Sequence, residues 1–178
     1  MIHSIGHSHL AAADFLALLR DFDIEVLVDV RRQPRSRRHP QFERHALAAS
    51  LAAAGIEYLW WGETLGGHRL PRPDSPNFAL ADAALRGYAD HMQSPAFRDA
   101  ARELAALGAR RATAMMCAEA DYTHCHRQLL ADYLGTLGVT VRHIAGPRRA
   151  LDHQAHVALG DSCDPPVYNR RAQGDLFA

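Results

Sequence analysis

Short runs of β-branched and aliphatic residues alternate along this chain with Ala/Leu-rich segments of helical periodicity, and that alternation constrains the fold more than any other feature. Five strands are predicted, over residues 2–5, 25–30, 56–59, 113–117 and 139–144. Between them the periodicity predicts helices over 11–20, with Phe15, Leu18 and Leu19 on one face, over 45–54 and over 128–137. Gly55 and Gly138 follow the last two, as C-caps before the next strand. Two more helices, over 79–92 and 95–107, lengthen the third crossover. The expected architecture is α/β: a Rossmann-like three-layer sandwich with a mainly parallel sheet of about five strands.

A chain of 178 residues with 48% hydrophobic content suits one globular domain, expected over residues 1–160 with a short helix at 151–159. Residues 161–178 read as an extended tail. Two irregular stretches, 31–44 and 60–77, interrupt the rhythm, and loops of that length in a compact domain usually carry function.

All twenty basic residues are arginine, and twenty Asp plus Glu balance them to a formal net charge of zero. The absence of lysine excludes Schiff-base chemistry, pyridoxal-phosphate attachment, a lysine general base and a P-loop lysine. Any phosphate must be held by arginine, a helix N-terminus or backbone amides. The opening residues lack the basic and apolar regions of a signal peptide, and no run approaches the roughly 18 apolar residues of a membrane span, so a cytoplasmic protein without membrane association is expected. Three cysteines, Cys117, Cys125 and Cys163, read as free thiols or metal ligands rather than a disulfide framework.

The carboxyl ends of the predicted strands gather most of the reactive side chains. Ser4, Gly6, His7 and Ser8 follow the first strand; Asp29 and Arg31 the second; Cys117 and Glu119 the fourth; His143 the fifth. Ligands in open parallel sheets bind outside those ends. Polar residues where strands leave the core are the structural alternative.

The segment from Cys117 to Arg127 predicts a strand end, a turn and a helix start capped by Asp121 or Thr123. Cys125, His126 and Arg127 would lie near the first turn, where free N–H groups favour anions and lower a thiol pKa. Zinc binding by Cys117, Cys125 and His126, with His124, is the alternative. Adjacent ligands on one helical turn diverge, and the paired spacing of zinc ribbons is missing. Cys117 also fits a small buried strand residue.

Five arginines fall within residues 31–38, which suits phosphate recognition by Arg31, Arg35 and Arg37, although Arg31 could instead pair with Asp29. Downstream, Gly66 and Gly67 permit close backbone approach, and Trp60 and Trp61 offer a stacking surface.

Together Ser4-Ile-Gly-His-Ser8, Leu27-Val-Asp-Val-Arg31 with Pro34 and Ser36-Arg37, Gly55-Ile-Glu-Tyr58, Leu65-Gly-Gly67, Arg86-Gly-Tyr88, Met116-Cys-Ala-Glu119, Cys125-His-Arg127 and His143-Ile144 resemble the DUF488 family of bacterial and archaeal proteins. The resemblance runs in order from residue 2 to about 156. It implies the α/β fold and the importance of these motifs and supplies no reaction. Separately, Gln173-Gly-Asp-Leu-Phe177 resembles the pentapeptide that docks bacterial replication and repair proteins in the sliding clamp, with Gln173, Asp175, Leu176 and Phe177 as contacts and Gly174 departing from the usual leucine.

These features lead to an expected enzyme that binds a phosphate-bearing substrate, a nucleotide or nucleic acid, with hydrolytic, DNA-repair-linked chemistry. Glu119 or Asp29 would serve as general base and His7 or His126 as acid/base. Arg31, Arg35, Arg37 and Arg127 would hold phosphates, with Ser4, Gly6, Ser8, Gly66, Gly67 and His143 lining the site. Thiol or metal redox chemistry at Cys117 and Cys125, and a non-catalytic nucleic-acid-binding module, are the rival readings.

Overall fold

Each predicted strand forms in the computed structural model, which describes residues 1–161 and 164–170. The strands are β1 (Ile2–Gly6), β2 (Val26–Asp29), β3 (Glu57–Trp60), β4 (Thr113–Cys117), β5 (Val141–Gly146) and β6 (Arg149–Asp152). They form one sheet in the order β3-β2-β4-β1-β5-β6, with every neighbour parallel except the antiparallel pair β5 and β6. The helices are α1 (Ala12–Asp21), α2 (Arg44–Ala53), α3 (Gly62–Leu65), α4 (Ala83–His91), α5 (Pro95–Arg110) and α6 (Arg127–Thr136).

Strand alternation sorts the core into two clusters. Val26, Val28, Met115 and Cys117 pack toward α4, α5 and α6, with Phe97, Leu104 and Leu130. Leu27, Ala114 and Met116 face the other way, against Phe15 and Leu19 of α1 and Leu47 and Leu51 of α2. Helices on both faces of a mostly parallel sheet make the α/β, Rossmann-like three-layer sandwich. Among the described residues no helix is long and apolar enough to cross a membrane.

The expected glycine caps are present. Gly55 and Gly138 take left-handed φ of 76° and 74°, and the next amides return to Leu51 and Leu134, closing α2 and α6. Helix starts follow side-chain chemistry: Asp82 accepts from the Leu85 amide and Ser94 from that of Phe97. The helix expected over 79–92 therefore begins at Ala83, after this cap.

The helix expected at 151–159 does not form. After Gly146 the chain turns through Arg148, at φ 51°, and residues 149–152 return as β6 along the edge of β5. Pairing of Arg142 with Asp152, whose side chains meet at 2.9 Å, outweighs the weak helical pattern there. Residues 164–170 dock against the domain: Leu159 bridges to Tyr168, a fully buried residue whose hydroxyl donates to Asp132 at 2.9 Å. Cys163 and the clamp-like segment with Gln173, Asp175, Leu176 and Phe177 lie outside the described residues.

Connectivity creates one crevice. β1 and β4 are neighbours, with Gly6 opposite Cys117. The chain leaves β1 toward α1 on one face and leaves β4 toward α6 on the other. Between two such strands the following loops part, which opens a cleft at their carboxyl ends.

Candidate functional site

A cleft of about 490 Å³ opens at that point, bounded by the ends of β1 and β4, the loop after β2 and the turn before α6. Of the residues expected at the site, His7, Arg31, Arg35, Gly67, Cys117, Glu119, Cys125 and His126 line it.

Its floor is a buried charge network. The Arg31 guanidinium donates to Asp29 through Nε at 2.9 Å and Nη2 at 2.6 Å, and the Arg31 amide donates at 3.0 Å. The Tyr58 hydroxyl donates to the same carboxylate at 2.7 Å. Burial and the Asp29 carboxylate push the Tyr58 phenol up. Burial works against the Arg31 charge, yet its hydrogen bonds to Asp29 hold the guanidinium above its ordinary value.

Arg31 also donates through Nη1 to Nε2 of His7 at 3.1 Å, while His7 Nδ1 donates to the Ser8 carbonyl at 3.0 Å. Both ring nitrogens are thus engaged, in the neutral tautomer. Burial, with Arg31 adding, pulls the His7 pKa down to about 4. The pairing of Arg31 with Asp29 weighed from the sequence is the arrangement found. Asp29 is 0% exposed and positions Arg31; it is sealed from a ligand and cannot serve as the general base. Glu119 is an exposed carboxylate on the cleft wall.

Next to this network stand the sulfurs. Cys117, the last residue of β4, and Cys125, before α6, are both buried. Their Sγ atoms lie 3.8 and 3.6 Å from Nδ1 of His126, whose Nε2 donates to the Val30 carbonyl at 3.2 Å. The neighbouring Cys117 thiol, opposed by burial and helped by His126 and Arg127, lowers the Cys125 pKa; the Cys125 sulfur and burial raise that of Cys117. Asp121 caps a single 3-10 turn (Tyr122–His124) and not α6, so Cys125 stays extended and His126 occupies the N-cap of α6.

Arg127 points away from the cleft. It is 1% exposed and donates to Ser4 Oγ at 2.9 Å and to the Glu119 carbonyl, tying the β4–α6 loop to β1. No carboxylate among the described residues pairs with it. A phosphate role for Arg127 and for Ser4 is therefore replaced by a structural one. Gly6 serves the same junction, since a Cβ there would fall 1.8 Å from the Glu119 carbonyl oxygen. A Cβ on Gly66 would strike Gly62 and Arg32, and one on Gly67 would meet the His126 ring at 2.8 Å.

Ser8, Arg37 and His143 do not line the cleft. His143 stacks on Tyr122 at 3.4 Å and donates through Nε2 to His153, which donates in turn to Asp132. Burial and His153 bring its pKa down to about 3.

Sequence reading missed His68 and Asp82 in the cleft wall. His68 follows the glycine pair, and Asp82 precedes Ala83–Leu85 in the manner of an N-cap, a signal hidden inside the helix expected there. Arg32 reaches across to the His68 carbonyl at 2.7 Å, joining the two irregular loops over the cleft.

No curated protein and no solved structure matches this chain. A family model matches residues 11–134, which hold α1 through most of α6 together with Asp29, Arg31, Cys117, Cys125 and His126. The chain thus belongs to the DUF488 family, described as a domain of unknown function.

Proposed function

We propose that this protein is an enzyme that binds a phosphate-bearing substrate, a nucleotide or nucleic acid, in the β1–β4 cleft and acts on it there hydrolytically. One observation carries the reading: the arginine-rich loop at 31–36, in which Arg32 and Arg35 are exposed, and the Cys117–Cys125–His126 group line one cleft. Arg35 has no acceptor among the described residues, so its guanidinium is available to a ligand anion, with Gln33 and Ser36 beside it. A chain of zero net charge that concentrates five arginines in eight residues beside a crevice has a local, not a global, attraction for phosphate. Glu119, exposed on the cleft wall, would transfer protons, and His126 would contribute an imidazole whose Nδ1 faces the sulfurs.

Turnover of nucleotides and short oligonucleotides by wild type and Glu119→Gln tests the reading. Phosphate release or strand cleavage that falls on the order of 100-fold in the variant supports it. Equal activity removes Glu119 from the chemistry. The link to DNA rests on Gln173, Asp175, Leu176 and Phe177, which would dock in a bacterial sliding clamp; a Leu176→Ala/Phe177→Ala variant should lose clamp binding shown by wild type.

Thiol redox chemistry is the second reading, favoured by the closeness of the two sulfurs, which lie within 4.8 Å of one another. It requires that Cys117 and Cys125 form a disulfide on treatment with an oxidised dithiol, detected by loss of two titratable thiols.

A further inference from the structure

Cys117, Cys125 and His126 meet in a way that a thiol pair alone does not require. The two sulfurs and Nδ1 of His126 all lie within 4.8 Å of one another. With zinc–sulfur bonds of about 2.3 Å and zinc–nitrogen bonds of about 2.05 Å, a tetrahedral centre has sulfur–nitrogen edges of about 3.6 Å. The observed edges are 3.8 and 3.6 Å.

The imidazole is also oriented as a ligand. Its Nε2 proton is committed to the Val30 carbonyl at 3.2 Å, which leaves the Nδ1 lone pair toward the sulfurs. A metal-bound histidine almost always donates its other N–H in this manner, and that bond fixes both tautomer and ring angle. One lone pair can accept only one S–H bond, yet two sulfurs converge on it. A shared cation satisfies all three atoms at once.

Backbone conformation removes the objection raised by the adjacency of Cys125 and His126. Cys125 is extended, with φ −131° and ψ 150°, while His126 has φ −57° and ψ −16°. The two do not share a helical turn, so their side chains can converge, and Cys117 reaches them from β4 across the crevice.

We propose that Cys117, Cys125 and His126 form a zinc site of three protein ligands whose fourth position opens into the cleft. Soft thiolates with an imidazole select zinc over magnesium or calcium. Binding displaces both thiol protons to solvent as two sulfur–zinc bonds form. Three ligands and an open position are the pattern of catalytic zinc, in which a bound water is the fourth ligand and deprotonates near neutral pH. The inference deepens the hydrolytic reading by naming what activates the attacking water, and the metal site itself does not depend on phosphate binding.

The test uses the full chain in a Cys163→Ser background, purified under reducing conditions and stripped with a chelator. Zinc should rebind at a one-to-one ratio by elemental analysis. Cobalt(II) should produce a thiolate-to-cobalt charge-transfer band that zinc abolishes. Cys117→Ser, Cys125→Ser and His126→Ala should each lose the stoichiometric zinc, whereas Glu119→Gln should keep it. Circular dichroism identifies a variant that has merely unfolded, and the wild-type cobalt spectrum decides the matter independently of all variants. No cobalt–thiolate band, or thiols that titrate equally fast with and without zinc, overturns the proposal. Phosphate-ligand binding measured on the same preparations separates the two failures: zinc without phosphate affinity refutes the cleft reading alone, and phosphate affinity without zinc refutes this one alone.

Discussion

Asp29 and Arg31 form a buried, bidentate ion pair at 2.6 and 2.9 Å that sets the floor of the cleft and fixes the chain where the arginine loop begins. Removing one charge leaves the other buried without a partner. Asp29→Asn should destabilise the fold by about 3–5 kcal/mol. Tyr58→Phe removes one hydrogen bond from a carboxylate that keeps Arg31, and should cost about 1 kcal/mol. Urea unfolding of both variants checks the ordering; equal losses would contradict it.

Acid should weaken the fold through its histidines. His7 and His143 are held at about 4 and about 3, below the ordinary 6.5, chiefly by burial. The unfolded chain takes up these protons as pH falls through 6.5 while the folded chain does not, so stability is full above that value and is lost below it. His3, His91 and His156 shift in the same direction. Each group contributes a slope of at most about 1.4 kcal/mol per pH unit. The urea midpoint should fall between about pH 6.5 and 5, before most carboxylates titrate; a flat profile there would count against neutral buried histidines.

Two glycines should respond oppositely to a methyl group. At Gly62 a Cβ would lie 1.9 Å from the Arg31 carbonyl oxygen, so Gly62→Ala must displace the loop that carries Arg31, at a cost of about 1–3 kcal/mol. At Gly135, inside α6, nothing lies within 4 Å, and Gly135→Ala should stabilise by roughly 0.5–1 kcal/mol. Thermal unfolding of the pair reads out both signs.

Tyr168 ties residues 164–170 to α6 and to the loop after α3. Its hydroxyl donates to Asp132, and its amide donates at 2.9 Å to Asn77, which in turn donates to Asp90. Tyr168→Phe should cost about 1 kcal/mol, because Asp132 keeps His153, whereas Tyr168→Ala should cost several-fold more through lost packing. Similar losses for the two would show that burial of the ring contributes little.

The central strands were legible because parallel strands covered on both faces read as continuous apolar runs, as 26–28 and 114–117 do. The edge strand β6 was not. Four residues carry too little period to oppose a helical pattern, and their pairing is set by the turn at Arg148 and by Arg142 across the ladder. At the site, strand ends located Arg31 and Cys117, and the expected helix start located Cys125 and His126. Which arginine faces solvent was not legible: Arg127 turns inward because Ser4 and the Glu119 carbonyl, both remote in sequence from α6 or carried on its preceding loop, accept its donors. Asp29 vanished from the surface for a similar reason, through Tyr58 on the neighbouring strand.

The most direct measurement is the affinity of a 5′-phosphorylated oligonucleotide for wild type and Arg35→Ala, followed by fluorescence anisotropy across a series of salt concentrations. Arg35 lines the cleft with no acceptor among the described residues, so wild type should bind with a negative slope of log affinity against log salt. The variant should bind more weakly, with a slope reduced by about 1. Identical curves for the two proteins, or no binding by wild type at low salt, would contradict a phosphate-binding cleft.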